Sequence, residues 1–88
     1  MIIDFHRKFK KSYKKLDKNM KTKVDLAIHK FRDDPFDKTL KNHALSKKME
    51  GKRAFSVSGN VRIVFEEYDD YVLVIMLDVG THSQVYGM

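Results

Sequence analysis

The sequence contains no cysteine. The chain can therefore form no disulfide, and a thiolate nucleophile or a cysteine-based zinc site is excluded. Long apolar segments are also missing, because the longest apolar run extends from Tyr71 to Leu77 and is far too short to span a bilayer. The opening residues, Met-Ile-Ile-Asp, are too short an apolar stretch for a signal peptide. These absences predict a cytoplasmic protein, and a length of 88 residues predicts a single domain over residues 1–88.

The motifs of several common enzyme classes are absent as well. The sequence has no Walker loop, no dinucleotide-binding glycine fingerprint and no G-x-S-x-G nucleophile elbow. No two histidines have metal-ligand spacing on one predicted element. We therefore predict neither a metal ion nor a cofactor. The four histidines are His6, His29, His43 and His82.

Positive charge is missing from the C-terminal end of the chain. All 18 lysine and arginine residues lie in residues 1–62 beside seven acidic residues, whereas residues 63–88 have five acidic residues only. The two segments thus carry +11 and −5, and the formal net charge is +6. This distribution favours a polyanionic partner that binds one side of the protein, although a well-solvated lysine-rich surface accounts for the charge equally well.

The first half of the chain has the apolar spacing of two helices. A short strand is predicted at residues 2–5, and apolar side chains then recur at helical spacing with lysines between them. Asp17 can cap the second helix, and Pro35 stops it because the residue before a proline disfavours the α conformation. The two helices should form a hairpin with almost no loop. Their apolar stripes are Phe5, Phe9, Tyr13 and Leu16, followed by Met20, Val24, Ala27, Ile28 and Phe31.

The second half has the pattern of three strands joined by tight turns. The strands are predicted at residues 53–58, 61–67 and 71–79, and Gly80 should end the last of them. Tight turns imply antiparallel pairing. We therefore predict an α+β fold in which the N-terminal helical hairpin packs on one face of a small antiparallel sheet. The other face of the sheet remains open for a functional site.

Arg62, His82 and Tyr86 are the candidates for that site. Arg62 alternates with Val61 and Ile63, so it should point to the open face if those two residues face the helices. His82 follows the last strand, and Tyr86 can stack on a nucleic-acid base. A surface arginine, a hydrogen-bonded turn histidine and a tyrosine that covers the sheet edge are the alternative interpretations.

These residue types meet the chemical needs of RNA cleavage by the ribose 2′-OH. A base must remove the hydroxyl proton, an acid must protonate the leaving 5′-oxygen, and a cation must balance the charge on the phosphorane. Histidine exchanges protons near neutral pH, arginine binds phosphate with a fork of N–H groups, and lysines hold the polyanion. The composition is therefore compatible with a ribonuclease.

Four stretches of the sequence resemble the RelE superfamily of type II toxin–antitoxin toxins, and the YafQ branch is the most similar. The resemblance spans nearly the whole chain and implies the α+β fold predicted above. It also implies endoribonucleolytic cleavage of mRNA, usually in the ribosomal A site and without a metal. The stretches are residues 42–45 (Asn-His-Ala-Leu), 49–53 (Met-Glu-Gly-Lys-Arg), 62–65 (Arg-Ile-Val-Phe) and 79–86 (Val-Gly-Thr-His-Ser-Gln-Val-Tyr).

The resemblance also implies a role for individual residues. Arg62 would bind the scissile phosphate, His82 would act as acid or base, and Tyr86 would stack on or orient the substrate. His43 matches a further histidine of the YafQ branch. A cognate antitoxin would bind the toxin and block or distort the site. The residues predicted to bind RNA are Lys11, Lys15, Lys47, Lys48, Lys52 and Arg53.

The sequence departs from the YafQ pattern at Ser56 and Asn60, where relatives tend to carry a histidine and an aspartate. Neither residue can shuttle a proton near pH 7. Three functions stay open: an mRNA endonuclease, a ParE-like toxin that poisons DNA gyrase, and a catalytically silent relative that binds nucleic acid through the basic first helix. His82 together with Tyr86 favours the endonuclease, because a gyrase poison needs neither.

Overall fold

A computed structural model describes residues 1–86. Five strands form one sheet, and two long helices pack on one of its faces. The elements are β1 (Ile2–Phe5), α1 (Arg7–Lys14), α2 (Lys18–Asp33), β2 (His43–Ala44), β3 (Arg53–Ser58), β4 (Val61–Tyr68), β5 (Leu73–Thr81) and α3 (His82–Val85), with single 3-10 turns at Lys38–Leu40 and Lys47–Met49.

The two N-terminal helices begin and end where local side chains dictate. The Nδ1 atom of His6 accepts a hydrogen bond from the Lys8 N–H (3.0 Å) and caps α1. Asp17 accepts one from the Met20 N–H (2.7 Å), which confirms its predicted role as the cap of α2. The helix ends at Asp33, as predicted from the proline that follows. None of the helices in the described residues is long and apolar enough to cross a membrane.

The sheet is mixed and has the strand order β1-β5-β4-β3-β2. Consecutive strands β3, β4 and β5 are antiparallel, as the tight turns predicted. At one edge, however, β1 lies parallel to β5, with Ile2 opposite Leu73 and Phe5 opposite Met76. Tight turns predict the pairing of consecutive strands only, and the helical hairpin separates β1 from the other strands along the chain. The two-residue strand β2, which was not predicted, forms the opposite edge.

The last strand and the residues that follow it differ from the prediction. β5 runs through Gly80 to Thr81, and Tyr71 lies in the preceding turn with a φ of 68°. No element was predicted after Gly80, but His82–Val85 form the one-turn helix α3. β5 therefore ends directly before His82, which is the first residue of α3.

The two faces of the sheet are covered differently. The helix face holds the main core, in which Val24, Phe31 and Leu40 pack against side chains of β3, β4 and β5. The other face holds a smaller cluster built on Ala54, Val64 and Val85, all of them buried. This face is therefore only partly open, since α3 and the loop before β3 lie across it. The side chains packed around the smaller cluster are Leu45, Met49, Leu77 and Tyr86.

Candidate functional site

Arg62 lies on the face of the sheet opposite the helices, as predicted. It alternates along β4 with Ile63, which is fully buried in the main core, and shares its face with Val64 of the smaller cluster. Its Nη1 atom donates to the carbonyl oxygens of Gly59 (2.7 Å) and Val61 (3.3 Å). These bonds hold the guanidinium over the β3–β4 turn. Since no other partner occurs within residues 1–86, Nε and Nη2 remain available for a phosphate.

A reciprocal pair of hydrogen bonds starts α3 and fixes its direction. The Gln84 N–H donates to the Thr81 hydroxyl (3.4 Å), and the Thr81 N–H donates to the Gln84 side-chain oxygen (2.8 Å). This is a capping box, which satisfies the first free N–H groups of a short helix. The His82 N–H donates to the Asn60 carbonyl oxygen (3.1 Å). The helix start is thereby tied to the same turn that holds Arg62.

His82 and Tyr86 lie one helical turn apart and touch. Their ring centroids are 4.3 Å apart with an interplanar angle of 89°, an edge-to-face contact. The Tyr86 hydroxyl is buried and has no hydrogen-bond partner among the described residues. Burial raises the pKa of Tyr86, and the positive charge of Arg62 partly opposes this shift. Tyr86 therefore keeps its proton at neutral pH.

A cleft of about 460 Å³ runs beside this pair, and we call it the His82 groove. One wall carries His82 and Tyr86, and the other carries Lys47 and Lys48 of the loop before β3, both exposed. Leu45 and Met49 add apolar surface. A cationic wall beside aromatic rings matches the two surfaces of a nucleotide, its phosphate and its base.

The two positions that depart from the YafQ pattern lie next to this site. Ser56 is directly opposite Arg62 in the β3–β4 pair. The Asn60 carbonyl receives the hydrogen bond from His82. A histidine and an aspartate at these positions would therefore adjoin Arg62 and His82. In this chain the same positions carry neutral side chains that cannot exchange protons near neutral pH.

His43 is on the correct face but is not part of the His82 groove. It lies on the edge strand β2 opposite Ala54, and directly opposed residues of an antiparallel pair share a face. Two strand spacings separate it from Val64 of β4, a distance of about 10 Å. Its Nδ1 atom lies 2.8 Å from the Lys41 carbonyl oxygen. The structure therefore does not bring His43 together with His82.

The structure places Arg53 outside the site. Arg53 is opposite Phe65 in the β3–β4 pair and so points to the helix face. Its Nε donates to the Asn42 side-chain oxygen (2.9 Å), and its guanidinium lies 5.9 Å from the Phe36 ring centroid. These contacts give Arg53 a packing role in the loop after α2, and its role in RNA binding stays a prediction.

The remaining predicted lysines are distributed over two surfaces. Lys52 borders a second cleft on the sheet face, beyond Tyr86, together with Lys48. Lys15 follows α1 and borders a cleft that Gln84 also lines. Lys11 is exposed on α1.

Sequence reasoning missed Gln84, which starts the helix that carries His82, and Asp78, which lines the neighbouring cleft beyond Tyr86. Thr81 and Gln84 have the spacing of a capping box, so the helix start was readable from the sequence. Asp78 is the one charged side chain buried among the described residues, and it interrupts an otherwise apolar strand. A lone carboxylate in such a strand is a signal for a specific partner, because an isolated buried charge is unstable.

Replacing Gly80 with alanine should break the capping box. A Cβ atom at this position would lie 2.7 Å from Oε1 and 3.2 Å from Cβ of Gln84. We expect a loss of roughly 1 kcal/mol in the free energy of unfolding, the typical worth of a helix cap, measured by urea denaturation. In a Gln84→Ala background the added cost should shrink, because Oε1 is gone. Strictly additive effects of the two substitutions would contradict this interpretation.

Comparison with solved structures defines the class of protein. YafQ from E. coli strain BL21(DE3) matches with a TM-score of 0.81 and 20% identity over 97% of each chain. A YoeB/ParE toxin from Agrobacterium tumefaciens matches with a TM-score of 0.77 and 18% identity over 93% of this chain and 99% of the other. A chain of the E. coli DinJ–YafQ complex matches with a TM-score of 0.70 and 21% identity over 97% of each. The fold is that of the RelE-like toxins.

The family is shown by the sequence itself. A comparison with curated protein sequences gave no match. The family model described as "Bacterial toxin of type II toxin-antitoxin system, YafQ" matches residues 1–87. The chain therefore belongs to the YafQ family of type II toxin–antitoxin toxins, which confirms the resemblance noted in the sequence.

Proposed function

We propose that this toxin is an endoribonuclease that cleaves mRNA on the ribosome, by attack of a ribose 2′-OH on the adjacent phosphate. The observation that carries the proposal is the contact of His82 with Tyr86 at one cleft, with Arg62 close enough for its charge to act on the Tyr86 hydroxyl. They come from two separate elements, and the hydrogen bond from His82 to Asn60 joins these elements. A cation and a proton-exchanging group are needed for this reaction, and an aromatic ring beside them can hold a base of the substrate.

Arg62, His82 and Tyr86 each have a role in the proposed reaction. Arg62 binds the non-bridging oxygens of the scissile phosphate through Nε and Nη2 and balances the charge on the phosphorane. His82 transfers the proton to or from the reacting ribose oxygens. Tyr86 orients the substrate through its ring, which lines the cleft beside His82.

The second proton-transfer group is a lysine in our proposal. His43 is too far along the sheet to share a phosphate with Arg62, whereas Lys47 and Lys48 line the same groove as His82. A lysine close to a phosphorane can donate a proton or stabilise charge. This arrangement makes a histidine at position 56 unnecessary, and it is the arrangement that the RelE branch of the superfamily implies.

The partner we propose is a cognate antitoxin, and the compartment is the cytoplasm, where mRNA and ribosomes are found. A similar toxin fold occurs in a complex named DinJ–YafQ. In this chain the edge strand β1 exposes Ile2 (61%) and Phe5 (37%), and Val72 nearby is 56% exposed. Adjacent exposed apolar side chains on an unpaired strand edge favour a protein partner that covers them.

Primer extension on a reporter mRNA tests the proposal directly. Added to translating ribosomes, the protein should produce new 5′ ends within codons of the reading frame, and the upstream fragments should end in a 2′,3′-cyclic phosphate. The same products should form in the presence of EDTA, since the proposed groups are all side chains. A matched reporter without a start codon should stay intact.

The alternative functions give other results in the same experiment. A ParE-like toxin would leave the mRNA whole and produce DNA breaks in the presence of gyrase. A silent relative would bind RNA without cutting it, and charge reversal of Lys11 and Lys15 would abolish that binding. Neither result is compatible with the proposed endonuclease.

A further inference from the structure

A second groove adjoins the proposed active site on the far side of Tyr86. It has a volume of about 410 Å³, and we call it the Asp78 groove. Its floor is apolar and consists of Val64, Leu77 and Val85. It shares Lys48, Met49 and Tyr86 with the His82 groove, so the two clefts are continuous across the Tyr86 ring. The proposed cleavage reaction leaves this groove unused.

The rim of the Asp78 groove is cationic. Lys8 of α1 lies on one side, and Lys48 and Lys52 lie on the other. Three ammonium groups around an apolar floor fit a ligand that has a flat apolar body and an anionic backbone. A nucleotide has this combination.

Asp78 gives the groove one hydrogen-bond acceptor in a defined place. Its Oδ1 atom accepts from the Ser12 hydroxyl (2.6 Å) and from the Val79 N–H (2.9 Å). Its Oδ2 atom has only Lys8, at 3.5 Å, among the described residues. The carboxylate is thus locked in position by α1 and β5, while Oδ2 retains capacity for a further donor.

We propose that the Asp78 groove is a nucleobase subsite, which rests on the proposed endonuclease function. The base of the nucleotide next to the scissile phosphate lies on Val64, Leu77 and Val85. Its exocyclic amino group donates to Oδ2 of Asp78, and the lysines of the rim bind its phosphates. Uracil has no exocyclic amino group, and its one free ring donor, N3–H, is flanked by two carbonyl oxygens that a carboxylate repels, so the subsite discriminates against it.

A protein segment fits this groove less well than RNA. The lysine rim would favour an acidic peptide, but the carboxylate at the floor would repel acidic side chains and leave its own acceptor unused. A base that carries an amino group satisfies both features at once. Continuity with the His82 groove also places the base beside the proposed scissile phosphate.

Nucleotide titrations followed by NMR test the subsite with the full chain. CMP and UMP are added to isotope-labelled protein, and the methyl signals of Leu77 and Val85 report the groove. We expect shifts at both residues and roughly tenfold tighter binding of CMP than of UMP, because a base donor to a carboxylate contributes selectivity of this order. The methyl signals of Ile28, which lines the cleft between α1 and α2, should not move.

Two variants separate the groove from the general charge of the protein. Lys8→Ala removes a cation from the rim without entering the core, since the Lys8 side chain is 66% exposed. It should weaken CMP binding several-fold, whereas Lys18→Ala, an exposed lysine at the start of α2, should not. Leu77→Trp should fill the groove and abolish CMP binding. If Leu77→Trp does not fold, the subsite is still tested by Lys8→Ala and by the ratio of the affinities for CMP and UMP.

Several results would overturn the subsite. These are equal affinity for CMP and UMP, shifts that avoid Leu77 and Val85, and a Lys8→Ala variant that binds CMP as the parent does. If Leu77→Trp prevents neutralisation by the antitoxin while nucleotides leave Leu77 unshifted, the groove binds the antitoxin and the proposal is wrong. Selective CMP binding by a protein that does not cut mRNA would support the subsite and contradict the proposed function instead.

Discussion

Replacing Arg62 with alanine should lower the rate of mRNA cleavage by roughly 10²–10³-fold, the usual effect of removing one group that stabilises a transition-state charge. The guanidinium is preorganised by its bonds to Gly59 and Val61, so the reaction does not have to orient it. Arg62→Lys should recover only part of the rate, because an ammonium group lacks the planar fork of donors. The measurement is single-turnover cleavage on ribosomes programmed with a short mRNA.

Arg53→Ala is the matched control for Arg62→Ala. Both arginines lie on the β3–β4 hairpin, but Arg53 points to the helix face and is held by Asn42. At a temperature where both variants are folded, Arg53→Ala should retain cleavage within a few-fold of the parent. Equal losses in the two variants would show that the effect comes from the fold or from overall charge.

His82→Ala should have an effect as large, roughly 10²–10⁴-fold, which is the range for removal of a general acid or base. Cells that express Arg62→Ala or His82→Ala should escape the growth arrest that the parent protein causes. The main-chain hydrogen bond from position 82 to Asn60 survives this substitution, so α3 should stay in place. If both variants remain as toxic as the parent, the site assignment is wrong.

Local patterns in the sequence were sufficient for most of the elements. The Asp17 cap, the end of α2 before Pro35 and the bounds of β3 follow from interactions within a few residues, and the structure has them as predicted. The face of Arg62 also followed from simple alternation along β4. Alternation along β3 likewise places Arg53 in phase with Phe55 on the helix face, which is where the structure has it.

Other features depend on contacts between distant parts of the chain. The parallel pairing of β1 with β5 brings together residues about 70 positions apart, and no local pattern encodes it. The position of His43 depends on the path of an irregular connection without hydrophobic periodicity. The resemblance to the family named His43 as a site residue, but only the strand register revealed its distance from Arg62.

The same connection carries the two lysines that we propose as substitutes for proton-transfer groups at positions 56 and 60. It brings Lys47 and Lys48 across the open face to the His82 groove. The backbone of Lys47 is in the left-handed region, with a φ of 57°, which is uncommon outside glycine. A non-glycine residue in such a conformation is held there by its surroundings. In this chain Lys47 and Lys48 therefore line the same groove as His82.

Replacing Phe31 with alanine should have the largest effect on stability. Phe31 is fully buried in α2 and lies at the centre of an aromatic cluster between the helix and the sheet. Its ring stacks on Phe55 (4.6 Å between centroids) and meets the Phe65 ring edge-on (5.0 Å). Truncation leaves a cavity that this cluster cannot fill, at a cost of about 3–5 kcal/mol. That is a large part of the roughly 5–15 kcal/mol that stabilises a typical domain.

The loss of packing at Phe31 should reach the proposed active site through the strands. Phe55 and Phe65 are the sequence neighbours of Ala54 and Val64, which underlie the site on the opposite face. Urea denaturation measures the free energy of unfolding, and Leu26→Ala on the same helix is the control, because Leu26 is 63% exposed. We expect the control to change stability by no more than about 0.5 kcal/mol. Similar losses for the two variants would show that α2 does not pack through Phe31.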